Sequence, residues 1–121
     1  MPATLLGAAL LATAIAFVHS ILGEHYILTR LFWRADLPHL FGSDWFTRRT
    51  LRFAWHLTSL AWLGLGAVLV LAPPGPHGTG VRRVVAACFL ASAVLTAGAS
   101  RGRHLAWVVF LVIGVLGWAA G

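Results

Sequence analysis

The sequence predicts an all-α integral membrane protein: four transmembrane helices in a small bundle, with an interfacial helical segment between helices 1 and 2. Composition is the first reason, since hydrophobic residues make up 60% of the chain and charged residues only 10%, where a soluble domain carries about 25%. Patterning is the second. The windows 3–22, 53–72, 84–100 and 105–121 are free of Asp, Glu, Lys and Arg, and a span needs roughly 17 to 25 apolar residues. Charge placement is the third, because every Lys or Arg position is an arginine and all of them lie between these windows.

The first window reads as a retained helix. A cleaved leader would open on a basic stretch and carry a shorter apolar core, and no Lys or Arg precedes this run. Segment 23–51 is the only long connection. It interleaves Phe32, Trp33, Phe41, Trp45 and Phe46 with arginines, as a segment at headgroup level requires. Large apolar residues persist to Arg34, so the first helix either continues past the hydrocarbon or bends at Gly23, and Pro38 with Gly42-Ser43-Asp44 breaks the remainder of the connection into pieces. "PPGPHGTG" reads as an external turn with His77 as a solvated loop residue. "SRGRH", 100–104, reads as a tight hairpin reversing at Gly102 that makes the last two spans neighbours.

Topology is set by the arginines. Arg30, Arg34, Arg48, Arg49, Arg52, Arg101 and Arg103 share one side of a four-span chain, and Arg82 and Arg83 the other. The positive-inside rule makes the first side cytoplasmic, with both termini outside. The net charge of +6 is then mostly topology and an attraction to anionic phospholipid headgroups, and no nucleic-acid partner is expected. The arrangement resembles small bacterial inner-membrane proteins in type, not in motif, which implies a multi-pass place in a bacterial-type inner membrane.

The third span carries Cys88, Ser92, Thr96 and Ser100 at four-residue spacing beside several alanines. In lipid, small residues let helix backbones approach, so this face is expected to pack inside the bundle, with Gly64, Gly66, Gly114, Gly117 and Gly121 serving similar contacts. One cysteine excludes a disulfide framework.

Function rests on the histidines. His19 ends the first span, His56 opens the second and His104 opens the fourth, so three imidazoles come to similar depth near the cytoplasmic face. Glu24 lies about one turn beyond His19, and Ser20, Tyr26 and Ser59 stand as supporting groups. Ionisable groups in spans face the bundle interior, a partner or a water-filled cavity. Imidazoles with a carboxylate suit a transition metal, two histidines suit a haem, and either set suits a lipid-like headgroup such as a quinone. His19 and Glu24 are five positions apart, about 140° around an α-helix, so they share a ligand only if the chain turns at Gly23. Glu24 can equally pair with Arg30 or an arginine of the hairpin. No metal-ligand spacing and no recognisable catalytic motif is present. The ranked readings are a ligand-binding membrane module, then a noncatalytic accessory or assembly subunit of a larger complex or homo-oligomer, then a small oligomeric transporter. The outer halves of the spans lack the polar route a transporter needs.

Overall fold

The computed structural model describes all 121 residues. The chain forms four helices, α1 (Ala3–Leu31), α2 (Trp45–Leu71), α3 (Pro76–Ser100) and α4 (Ala106–Ala119), and no strand beyond an isolated bridge between Leu40 and Ser43. The first three, of 29, 27 and 25 residues, are long and apolar enough to cross a membrane; α4 has 14. Helices α3 and α4 pair along their lengths, α1 packs against both α2 and α4, and α2 touches α3 only lightly.

Helix α1 neither stops nor bends at Gly23. It widens there into a π-helical stretch, Gly23–Leu28, and closes with an α-turn at Thr29–Leu31. Helix α2 starts at Trp45, well before the apolar window at 53, with Asp44 at its N-terminus where a carboxylate suits the helix dipole. The interfacial segment is thus shorter than expected: its two ends belong to α1 and α2, and only 32–44 is irregular.

Helix α3 likewise begins earlier than the window at 84. Gly75, at φ +99°, turns the chain, and Pro76 occupies the first helical turn, where its fixed φ suits the helix and its missing N–H costs nothing. His77 therefore sits in that first turn instead of in a loop. The reversal into α4 uses two left-handed residues, Arg101 and Gly102. The Gly102 N–H donates to the Ala97 carbonyl at 2.7 Å and the Arg101 N–H to Gly98 at 3.2 Å, which satisfies carbonyls that the helix end leaves free.

The core is a seam of small and large side chains. Leu5, Ala8 and Ala12 of α1 meet Leu69 of α2, Val85, Phe89 and Ala93 of α3, and Ala106, Phe110 and Ile113 of α4. Gly66 lies against Ala12, and Gly114 and Gly117 against Leu90 and Ala86, as expected, whereas Gly64 faces open space. The α3 stripe is where expectation and structure part. Cys88 is exposed, and Ser92, Thr96 and Ser100 are only half-buried. Ser92 and Ser100 donate to Cys88 and Thr96, carbonyls of their own helix. The buried face is one residue along, through Val85, Phe89 and Ala93, because the large Phe89 fills the space between α3 and α4 and turns the small residues outward.

Arg48 clamps the 32–44 connection. It donates to the carbonyls of Phe32 and Arg34 and, at 2.7 Å from Nε, to the carboxylate of Asp44, while Thr47 donates to Pro38 at 2.7 Å. The hydrogen bond from Arg48 lowers the Asp44 carboxyl below its ordinary value of 3.8. A depressed folded-state value stabilises above the unfolded pKa and is lost as pH falls through the folded one. The loop is therefore expected to stay docked at neutral pH and to loosen only below about pH 4. Arg48→Gln should release it at every pH, with faster protease cleavage within 32–44 and unchanged helix content by circular dichroism.

Candidate functional site

One face of α2 carries Arg52, Trp55, His56, Ser59 and Trp62, spaced by three or four residues and so aligned along the helix. Opposite it stand His19, Ser20, Gly23 and Glu24 of α1. Glycine at 23 makes the close approach possible. The Trp55 indole occupies the space where a side chain at 23 would project, and its Nε1–H donates to the His19 carbonyl at 3.0 Å. The widened π turn begins at this point, and such local departures from α geometry gather at functional sites.

The polar side chains form one connected chain. Glu24 Oε2 meets His56 Nε2 at 3.2 Å, His56 Nδ1 meets Ser20 Oγ at 2.9 Å, Ser20 Oγ meets Ser59 Oγ at 2.8 Å, and Ser59 Oγ meets His19 Nδ1 at 2.9 Å. Ser59 is 5% exposed, so the middle of the chain is shielded while its Glu24 end is open. Arg52 closes that end, 2.9 Å from Glu24 Oε1. This replaces the expected pairing of Glu24 with Arg30 or the hairpin. Ser20 and Glu24 lie four apart and reach opposite nitrogens of the same ring, so Glu24 joins His19 through α2 and not through a bend at Gly23.

His19 is held on two sides by aromatic rings. Trp55 stacks on it with centroids 4.6 Å apart and planes 4° from parallel, and Trp62 meets it edge-on at 4.8 Å. Trp62 in turn packs edge-on against Phe110 of α4 at 4.9 Å, which ties the site to the core. His19 and Gly23 line a partly open cavity of about 180 Å³ together with Ile15, Val18, Leu22, Tyr26, Ile27, Trp55, Trp62, His104 and Ala106. Nδ1 of His19 is engaged by Ser59, and Nε2 makes no hydrogen bond within the chain.

Of the residues the sequence singles out, His19, Ser20, Glu24, His56 and Ser59 form the connected network. Tyr26 and His104 line the cavity without joining it. His104 is exposed, its Nδ1 accepting from the Ala106 N–H at 3.4 Å. The metal reading does not fit this geometry. No three His, Cys, Asp or Glu side chains are grouped to hold an ion, and the inner nitrogens of His19 and His56 are already hydrogen-bonded to serines. The sequence already sets Trp55 and Trp62 around His56, but it does not show Arg52 as the partner of Glu24; the four-residue spacing of Arg52 from His56 was the available signal.

No protein-family profile, curated protein or solved structure matches this chain.

Removing one interhelical hydrogen bond in a membrane helix pair costs on average about 0.6 kcal/mol and at most about 1.7. Ser59→Ala, which breaks two such links at once, should lower stability by about 1 kcal/mol with the bundle intact. Gly23→Ala should cost more, since its methyl meets the Trp55 ring and the stack on His19 must open. Thermal denaturation in detergent, followed by near-ultraviolet circular dichroism of the tryptophans, checks both. An equal or smaller effect of Gly23→Ala would contradict the tight approach.

Proposed function

We propose that the chain is a small multi-pass protein of a bacterial-type inner membrane, with both termini outside, and that it binds a lipid-like ligand with a planar, hydrogen-bonding headgroup beside His19. The observation that carries this is the pairing of an oriented imidazole with an apolar recess. His19 is fixed by a ring stack and by Ser59, it keeps one nitrogen for a ligand, and eight of the eleven residues lining the cavity are hydrophobic. A ligand pocket of this type is mostly apolar with a few placed polar groups.

Membrane insertion is supported by the three long apolar helices and by outward-facing Leu10, Phe17, Ile21, Leu60, Leu71, Val94 and Leu95. Helix α4, about 21 Å long at 1.5 Å per residue, completes a fourth span with the uncharged residues that flank it and with local thinning of the bilayer. Cytoplasmic placement of the cluster rests on the arginine count across the connections. On the same face a groove of about 580 Å³ places Arg49, Arg52 and His56 above Phe53, Leu57 and Leu60, an order that matches an anionic phospholipid, phosphate above and acyl chain below.

A second reading, as a noncatalytic subunit of a larger membrane complex or homo-oligomer, is favoured by one specific observation. The small-residue face of α3 leaves Cys88 exposed and Ser92 and Thr96 half-buried, so a helix from another chain could approach it closely.

The ligand reading is tested with decylubiquinone as the probe and the tryptophans as reporters. Titration into the protein in lipid nanodiscs should quench fluorescence saturably, and His19→Ala should weaken binding about tenfold, the equivalent of about 1.4 kcal/mol for a lost hydrogen bond and stacked ring. Linear, unsaturable quenching that His19→Ala leaves unchanged would contradict it.

A further inference from the structure

The hydrogen-bonded chain from Glu24 to His19 joins a solvent-accessible carboxylate to a cavity, and every link between its ends is a group that both donates and accepts. A serine hydroxyl has one proton, so when each hydroxyl proton is used within the chain the links all point the same way. That leaves two settings.

In the first, His19 Nδ1–H donates to Ser59, Ser59 to Ser20, Ser20 to His56 Nδ1, and His56 Nε2–H to the Glu24 carboxylate. Both imidazoles are neutral, and His19 presents the lone pair of Nε2 to the cavity. In the second, each hydroxyl is reversed. His56 donates from both nitrogens, to Glu24 and to Ser20, then Ser20 donates to Ser59 and Ser59 to His19 Nδ1, and His19 presents Nε2–H to the cavity. The second setting holds one proton more than the first. Its extra charge sits on His56 against the Glu24 carboxylate, not on His19 between the tryptophans.

We propose that Glu24, His56, Ser20, Ser59 and His19 form a proton relay between the membrane surface and a ligand in the cavity. A proton arriving at His19 Nε2 displaces the one on Nδ1 to Ser59. The Ser59 proton passes to Ser20 and the Ser20 proton to His56 Nδ1, leaving an imidazolium paired with Glu24. Water at the Glu24 end then takes up the released proton from His56. Run backwards, the same steps deliver one proton from the surface to the ligand. Each serine oxygen gains one O–H bond as it loses another, and each imidazole ring gains a proton on one nitrogen and loses one from the other, so no further reactant is needed. The cavity end of the relay rests on the ligand reading above; its two settings do not.

The other charged or titratable groups near the chain are Arg52, paired with Glu24, Arg49 at the outer groove, and two that line the cavity, Tyr26 of α1 and His104 of the α3–α4 connection. None of them hydrogen-bonds to Ser20, Ser59 or the His19 ring. A cut at Ser20 therefore isolates His19 from His56 without touching these charges.

The test is nitrogen NMR of the full chain in lipid nanodiscs, with ¹⁵N-histidine, no ligand, and signals assigned through single histidine variants. Across the range in which imidazoles titrate, about pH 8 to 5, the His19 proton should move from Nδ1 to Nε2 in the same interval in which His56 becomes doubly protonated. Ser20→Ala should abolish the coupled switch, and Ser20→Thr, which keeps a hydroxyl, should restore it. Ser59→Ala provides the same cut if Ser20→Ala does not fold. A His19 ring that stays in one tautomer, or that switches alike in wild type and the cut variants, would overturn the relay. Probe binding without the switch leaves the pocket and removes the relay; the switch without probe binding does the reverse.

Discussion

The rest of the site depends on the indole of Trp55 lying in the space that Gly23 leaves open. With any side chain at 23, α1 and α2 would stand further apart, and hydrogen bonds of 2.8 to 2.9 Å between their serines and histidines could not span the gap. The same indole orders the neighbouring turn. It donates a hydrogen bond to the His19 carbonyl at the place where the helix widens, and its face fixes the plane of the His19 ring. One contact thus sets the spacing of two helices, the local helix type and the aim of the imidazole.

In a low-dielectric surrounding, polar groups are costly alone and acceptable as a satisfied network. That explains why histidines, serines and a carboxylate occur together at the α1–α2 seam, while the core cluster is alanine, leucine, valine, isoleucine and phenylalanine. The network also grades from wet to dry. Glu24 and Arg52 meet solvent, Ser59 is buried, and His19 lies between rings. A linear chain with one open end and one end at a cavity suits conduction of a proton between them better than it suits binding an ion.

Much of the architecture was legible in the residues. Charge-free windows placed four helices, the positions of His19, His56 and His104 at the ends of their windows brought His19 and His104 to one cavity and His56 into the same network as His19, and the short "SRGRH" connection made α3 and α4 partners. Less legible was anything decided by a neighbour. Hydropathy marks apolar length and not helix length, so α2 and α3 each begin about two turns before their apolar windows, carried by Trp45–Arg52 and Pro76–Arg83. Regular 3.6-residue geometry assigned Glu24 to a face apart from His19, whereas the link runs through His56 on the facing helix. For α3, the four-residue rhythm of Cys88, Ser92 and Thr96 identified a face correctly as small but not which way it points; the bulk of Phe89 decides that.

The central claim is that the Ser20, Ser59, His19 and His56 side chains act as one interhelical unit. A double-mutant cycle between Ser20→Ala and His56→Ala, read by reversible unfolding in detergent micelles, tests it most directly. The account predicts a coupling of about 0.6 to 1.7 kcal/mol, the range for hydrogen bonds between membrane helices, because either change alone already breaks the chain. Additive effects, with no coupling beyond about 0.3 kcal/mol, would contradict it.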